Sequence, residues 1–545
     1  MKKINMESIR PLGDLHKRAD RTFTRLESDI YQPDYIRNQE QNTDWPGDWG
    51  GRTLLAISMM SRAMDRKSVY VDEIFEVLWS LRNERGYLGN IEEPEVFDEQ
   101  QFSGHNWLLR GLLHYHAWRG DARSMEFARD IVRNLYLPAT GFYTTYPVDP
   151  QDHVYAGGKS GTVTGAVVKH WRTSSDTGCA FMCLDGLTDY YTLTDDEAVG
   201  KLLKEMIDTF MTIDFVKLSM QTHASLSATR GVLKMYRKTL EPQYLAFARR
   251  LFSLYLDYGA TVNYANYNWF CRAGWTEPCA IIDSYILCFD LFCATEDPAY
   301  LQDANRIHYN ALDFAQRFNG GFGCDVCVGP EKVILRADAE GNGLCEAFWC
   351  CTMRGGEGMS AVIGNTYLLK DNTLVLAQYS DSVLKTDDLL LTQKTAFPYA
   401  GKVELTVERQ TENIRRLALY VPAYAENMQI LLNGAHKELP VVHGFVTLEL
   451  ENATDRVELS FDMGLRKEKC IGRITQPNAY SFWHGDLMLG VETLQALEWT
   501  DVRVERTEAG YHVLGSDRYL TDLRGNVDLS PDSPMPVKSI QVLFH

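Results

Sequence analysis

Glu277-Pro278-Cys279 and the vicinal pair Cys350-Cys351 together offer one carboxylate and three thiols, enough for a closed four-coordinate zinc site. Thiolate sulfur and carboxylate oxygen both suit a borderline-soft ion, so a Cys3Glu set needs no histidine. A thiol held by such an ion is deprotonated at neutral pH, so one of these cysteines could act as a nucleophile as well as a ligand. Pro278 stiffens the chain at the start of a helix that continues through Ala280-Ile281-Ile282, where two donors two residues apart can converge. The bland alternative makes Glu277 a first-turn helix charge and Cys279 a small buried hydrophobe.

Other residues have chemistry to offer. Cys324-x-x-Cys327 lacks a second such pair and a βαβ setting, so it reads as loop or core thiols. Cys179, Cys183, Cys271, Cys288, Cys293, Cys345 and Cys470 read as ordinary buried residues. His105 and His223 are each placed at the start of an inner helix, where an imidazole binds sugar hydroxyls or simply packs. Trp49, within the loop-to-helix segment Asp44 to Arg52, and Tyr267 are further candidate sugar contacts.

These residues need a scaffold. From about residue 50 to 320 the chain carries helical periodicity with a loose internal repeat. Taking Gly111, Gly186, Gly231 and Leu287 as equivalent, His116, Tyr191, Tyr236 and Phe292 follow five residues on, and Asp121, Asp196, Glu241 and Asp297 ten residues on. The acidic position suits the N-terminus of the next helix, so each unit is a helical hairpin. Hairpins 45 to 75 residues apart predict a closed toroid of paired helices, an (α/α)6-barrel, with the aromatic loop holding Phe142, Tyr143, Tyr146 and Tyr155 at its mouth. After about residue 365, alternating runs such as Lys402 to Val407 and Leu417 to Val421 predict all-β sandwich modules. The division is therefore a catalytic toroid at 1–365 and a β region at 366–545.

The 545 residues, 45% hydrophobic, suffice for two large cores. A net charge of −18 argues against nucleic acid and anionic membrane as partners. The polar N-terminus lacks a signal-peptide core, which places the chain in the cytoplasm with reduced cysteines. Homo-oligomerisation is left open.

At these residues the sequence resembles glycoside hydrolase family 127, the β-L-arabinofuranosidases and their relatives. That family has a Glu-x-Cys segment and, well downstream, a Cys-Cys pair that jointly bind zinc; the matching positions are Glu277, Cys279, Cys350 and Cys351. The resemblance implies Cys350 as the nucleophile of a retaining glycosidase acting on plant-derived oligosaccharides, and His223 as the family's helix-start histidine before Arg230-Gly231. The chain departs where the family carries its general-acid glutamate: Thr261 to Phe270 contains no carboxylate. Thr352-Met353-Arg354 replaces the family's Pro-Pro-Asn, and a second family histidine has no counterpart in Asp176 to Cys179. The acid/base then falls to Glu346, four residues before Cys350, ahead of Glu357, Asp325, Tyr264 or Tyr267. The alternative is a catalytically silent or differently catalysing carbohydrate-binding toroid with a structural zinc.

Overall fold

The computed structural model describes residues 1–155, 163–337, 346–499, 501–528 and 538–545. Among these, α1 (Gly13–Leu26) and α2 (Pro33–Glu40) lead into five helical hairpins. They are α3 (Asp48–Ala63) with α4 (Val71–Ser80), α5 (Glu99–Arg119) with α6 (Ala122–Ile131), and α7 (Leu184–Thr194) with α8 (Glu197–Phe210). The last two are α9 (Thr222–Thr239) with α10 (Pro242–Tyr258), and α11 (Pro278–Thr295) with α12 (Pro298–Ile307). A further helix, Cys351–Gly364, packs between α11 and α3 and against α1. It closes an inner ring in which α3, α5, α7, α9 and α11 each pack on the next. This is the expected (α/α)6 toroid.

Local chemistry explains the repeat. The inner helices α5, α7, α9 and α11 each end on a left-handed residue, Gly120, Asp195, Leu240 and Glu296. The next residue is the N-cap of the outer partner, and Asp121, Asp196 and Asp297 accept a first-turn backbone N–H there. Glu241 holds the same place without a side-chain cap. The outer helices bury one stripe, as in Val199, Leu202, Leu203, Met206, Ile207 and Phe210 of α8. The inner ones are buried nearly all round; α11 is long and apolar enough to span a membrane, yet 89% of it is buried inside the protein.

The repeat glycines sit where inner helices touch. A Cβ on Gly111 would stand 2.8 Å from the Gly51 carbonyl oxygen, and one on Gly231 would stand 2.5 Å from the Leu184 carbonyl. Backbones therefore approach directly across α3/α5 and α7/α9.

The β region holds the predicted strands. Leu389–Thr395, Gly401–Arg409, Thr454–Asp462 and Glu426–Leu432 form the body of a seven-stranded sheet, antiparallel throughout. Thr454–Asp462 alternates strictly, burying Asp455, Val457, Leu459 and Phe461. A five-stranded sheet holds Tyr367–Lys370, Thr373–Leu376, Arg416–Tyr420 and Phe445–Glu449, and an eight-stranded one begins at Leu465. Strands from the first 365 residues join these sheets: Lys2–Lys3 pairs with Tyr367–Lys370, Ile9–Pro11 with Ser382–Lys385, and Ile334–Arg336 with Ser539–Gln541. The toroid and β region are thus interleaved across residue 365.

Gly231→Ala is expected to lower the free energy of unfolding by about 1–3 kcal/mol, because the rigid α7 backbone cannot yield to the added methyl as a side chain would. Chemical denaturation reads this directly; an unchanged midpoint would mean that α7 and α9 can separate at no cost.

Candidate functional site

The N-termini of all six inner helices converge on one cavity of about 830 Å³. Its wall takes Asp48 from α3, Ser103 from α5, Cys179 and Met182 from the turn before α7, Gln221 and His223 from α9, Glu277 from α11, and Cys350 and Cys351 from the last helix. Helix N-termini carry partial positive charge, so their convergence favours anionic groups. Local bonds fix each end. The buried Glu40 carboxylate accepts the Gly47 and Gly50 N–H groups at 2.7 Å each and caps α3. Gln221 N–H donates to Thr177 O at 3.1 Å, tying the Asp176 turn to α9, and Glu277 N–H donates to Asn266 Oδ1 at 2.9 Å.

Glu277 and Cys350 are the N-caps of adjacent helices, so the two sequence motifs meet. One donor atom from each of Glu277, Cys279, Cys350 and Cys351 lies within 4.8 Å of the others. Cys351 Sγ is the hub, 3.3 Å from Cys350 Sγ and 3.7 Å from Cys279 Sγ. Cys279 and Cys351 are buried, while Glu277 and Cys350 are half-buried on the cavity wall. Burial, then the nearby Asp176 carboxyl, push Glu277 up to about 8. The Cys350 thiol is raised well above its ordinary value, chiefly by its hydrogen bond with Cys279, and burial raises Cys279 and Cys351. Four crowded donors that cannot all ionise alone, three soft and one hard, have the chemistry of a site for a divalent cation. Arg52 adds positive charge beside them: its Nη1 lies 3.5 Å from Cys279 Sγ while its Nε donates to both oxygens of Asp48 at 2.8 and 2.9 Å.

Below the cavity the toroid axis is filled with paired charge. Arg230 donates to Asp283 Oδ1 at 2.5 Å and to Glu357 Oε1 at 3.0 Å; Arg110 donates to Glu357 Oε1 at 2.5 Å and pairs with Asp185 at 3.3 Å. Arg354 binds both Asp283 and Glu357. Burial would raise the Asp283 carboxyl, but the Arg354 and Arg230 guanidiniums outweigh it and hold Asp283 far below the usual carboxylate range. His223 Nδ1–H donates to Asp283 Oδ2 at 2.8 Å, and burial lowers the ring to about 4, so the imidazole is neutral. Its Nε2 is then a bare acceptor at the cavity wall, with no protein partner. Trp107 stacks on the ring at 5.5 Å.

The cavity has more unanswered polar atoms: Trp45 Nε1, Asp176 Oδ1, Gln221 Oε1 and Asn268 Oδ1 are buried without a partner. Trp45, Trp49, Trp275 and Trp349 supply aromatic surface beside them. Asp176, placed by the turn after strand Trp171–Ser174, is pushed up to about 7, mainly by burial.

Of the expected site residues, Glu277, Cys350, Cys351, His223 and Trp49 line this cavity, and Cys279 belongs to the donor cluster but is buried behind the wall. Three others do not line it. His105 lies seven residues into α5 and faces outward, its Nε2 accepting from Leu88 N–H and its Nδ1 bonded to Gln101 O. Tyr267 is buried, its hydroxyl donating to Val328 O at 3.1 Å. Glu346 is clamped by Arg25 at 2.9 and 3.0 Å, Asn319 at 2.7 Å and Thr352 Oγ1 at 2.8 Å, so it anchors the Cys-Cys turn and presents no carboxyl to the cavity. Glu357, Asp325 and Tyr264 are likewise occupied, by the axial arginines, Arg317 and Arg306. The aromatics Tyr143, Tyr146 and Tyr155 are buried away from the cavity, Tyr143 and Tyr146 packing on Trp171 and Phe181. Cys271 is exposed, and Cys345 lies outside the described residues. Asp176, Gln221, Asn268 and Cys324 are cavity residues that spacing alone did not single out for this role.

Residues 373–463 match the family model described as β-L-arabinofuranosidase, GH127 middle domain. A GH127 β-arabinofuranosidase structure aligns over 100% of this chain and 97% of its own, with a TM-score of 0.69 and 13% identity. A structure described as a glycoside hydrolase gives a TM-score of 0.68 at 13% identity, over 100% of this chain and 97% of that one. A GH127 β-L-arabinofuranosidase from Geobacillus stearothermophilus T6 gives 0.67 at 12% identity, over 98% of this chain and 99% of that one. No curated protein matches the sequence.

Asp283→Asn leaves Arg230 and Arg354 short of a buried counter-charge and should cost about 3–5 kcal/mol. Asp283 is more acidic folded than unfolded, so its contribution is complete above the unfolded carboxylate value near 4 and is lost as pH falls below it. The variant should therefore show a shallower loss of stability on acidification than the parent; parallel acid limbs would show that Asp283 is not the titrating anchor.

Proposed function

We propose, from the premise that the chain is a divergent member of glycoside hydrolase family 127, that it is a retaining β-L-arabinofuranosidase acting on plant-derived oligosaccharides. The observation that carries this reading is the Glu277/Cys279/Cys350/Cys351 donor set, three of whose members line a cavity with four tryptophans and five residues bearing unanswered polar atoms. Tryptophan faces suit sugar C–H surfaces, and the lone acceptors and donors suit hydroxyls.

Zinc, when bound by Glu277 and the three cysteines, would supply the positive charge that keeps the thiols ionised. Cys350 is the half-exposed thiol, so its Sγ attacks the anomeric carbon as the bond to the leaving oxygen breaks, giving a thioglycosyl protein. Water then displaces the sulfur with overall retention. Three carboxyls line the cavity among the described residues: Glu277 belongs to the donor set and Asp48 is held by both oxygens on Arg52. Asp176 remains, with a free Oδ1, and in this reading it gives its proton to the leaving oxygen and then takes one from the attacking water. His223 Nε2 accepts a sugar hydroxyl.

Zinc measured on protein purified without added metal should come to about one ion per chain, as for a closed structural or catalytic site; metal-free, stably folded protein would remove the thiolate nucleophile. Cys350→Ser should abolish turnover of aryl β-L-arabinofuranosides while zinc remains bound. Asp176→Asn should slow substrates with poor leaving groups by about 100- to 10,000-fold, and nitrophenyl glycosides much less. Equal losses on both substrate types would rule out Asp176 as the acid. Sugar binding without turnover in the parent protein would favour the silent carbohydrate-binding alternative.

A further inference from the structure

A single pentofuranose does not fill this cavity. Its volume of about 830 Å³ lies toward the upper end of the roughly 300–1,000 Å³ that encloses drug-sized ligands, so there is room beyond the sugar that Cys350 attacks.

One stretch of the lining is built around Asp176. The Trp269 indole Nε1–H donates to Ser175 O at 3.2 Å, next to Asp176, and Trp269 meets Trp275 edge-on at 5.3 Å and 88°. Trp269 is also bridged to Gln221, and the Asn268 carbonyl accepts the Thr222 N–H at 3.0 Å. Asp176, Gln221, Asn268 and Trp275 all line the cavity and are tied together by these bonds. Chain direction sets what Trp275 presents. It is bridged to Val326, Thr276 N–H donates to Asp325 O at 2.9 Å, and Glu277 keeps extended dihedrals. Side chains alternate along such a segment: the Thr276 hydroxyl turns away to accept the Asp325 N–H at 2.8 Å, while Trp275 and Glu277 face the cavity. Trp275 is only half-buried there.

The amide beside it is unanswered. Asn268 is 5% exposed, yet its Oδ1 has no protein partner, and Gln221 Oε1 is in the same condition. Buried acceptors next to an open indole suit a ring with hydroxyl donors on its edge and C–H groups on its face, which describes a second sugar. The direction of attack says which sugar. In the retaining reading Cys350 approaches the anomeric carbon from one face, and the leaving oxygen departs on the other, where Asp176 protonates it. The group attached to that oxygen then lies along the Asp176 wall, against Asn268 and Trp275.

We propose that Trp275 and Asn268 form the binding site for the leaving sugar, so that the substrate is a disaccharide or longer chain and not a glycoside of a simple alcohol. The inference rests on the glycosidase reading above and deepens it by naming the leaving group. The Trp275 ring stacks on the C–H face of that sugar, and Asn268 Oδ1 accepts one of its hydroxyls.

The test compares methyl β-L-arabinofuranoside with a panel of β-L-arabinofuranosyl disaccharides. Both kinds release an unactivated alcohol, so the second sugar is the main difference between them. On the best disaccharide the parent should show kcat/KM at least about 100-fold above the methyl glycoside, from a stack and a hydrogen bond of about tenfold each. Trp275→Ala and Asn268→Ala should each lower kcat/KM for that disaccharide about tenfold and leave the methyl glycoside within about twofold, a split that a general loss of structure does not produce. Equal losses on both substrates would overturn the proposal. Asn268→Ala removes no scaffold bond made by Oδ1, so it decides the matter where Trp275→Ala does not fold. A parent that hydrolyses neither these glycosides nor the nitrophenyl one overturns the glycosidase reading and this inference with it, whereas turnover without preference for a disaccharide overturns the leaving-sugar site alone.

Discussion

The fold depends on burying paired charge along the toroid axis. Arg110, Asp185, Arg230, Asp283, Arg354 and Glu357 come from five of the six inner helices and are almost wholly buried. Unpaired, any of them would cost several kcal/mol to hold away from water. Paired, they demand that α5, α7, α9, α11 and the Cys351–Gly364 helix sit in one rotational setting, because each guanidinium fork reaches carboxylates on different neighbours. A purely apolar axis would allow the helices to turn or slide; this one does not. The contact glycines act in the same direction by bringing inner-helix backbones together, so the forks can span the axis.

That setting is what makes the cavity. With the helices locked by charge below, their N-termini meet above, and the partial positive charge of six helix ends collects where Glu277, Cys279, Cys350 and Cys351 lie. Asp283 joins the two levels. It neutralises Arg230 and Arg354 through Oδ1 and fixes the tautomer of His223 through Oδ2, so that the imidazole offers a bare nitrogen to the cavity. Trp107 joins them again, stacked on His223 and with the guanidiniums of Arg52 and Arg354 4.1 and 4.5 Å from its ring centroid. Scaffold and site are continuous, and a change at the axis is felt at the wall.

What was legible in the sequence was local. Asp121, Asp196 and Asp297 announce helix starts because a cap needs only its own next few residues, and Gly111 and Gly231 recur because each hairpin meets its neighbour in the same way. Strict alternation in Thr454–Asp462 likewise reports one buried face. The Glu-x-Cys and Cys-Cys segments could be paired because each bears its donors at a helix N-terminus and a family with the same segments was recognisable. What failed was direction. His105 reads as a helix start although α5 begins at Glu99, and a shift of under two turns turns the ring from the cavity to Leu88. Nearness in sequence favours Glu346, but its oxygens are taken by Arg25, which lies 321 residues away. Asp176 and Cys324 carry no local signal; they reach the cavity only when the ring closes.

The stretch Thr261 to Phe270, which holds no carboxylate, serves as scaffolding. Asn263 Nδ2 donates to Asn310 O, Asn266 Nδ2 donates to Thr222 Oγ1 while its Oδ1 receives the Glu277 N–H, and Tyr267 is bonded to Val328 O. A carboxylate could not replace either asparagine without losing the donor that one of these bonds requires, since an ionised carboxylate only accepts. An acid working in this cavity must therefore enter on a different element. The Asp176 turn is suited to that: its neighbour Thr177 is tied by its backbone to the start of α9, Gly178 takes the left-handed conformation that lets the chain reverse, and Oδ1 of the carboxyl has no protein partner. The Thr261 to Phe270 loop orients Glu277 through Asn266, while the Asp176 turn brings a carboxyl to the cavity wall.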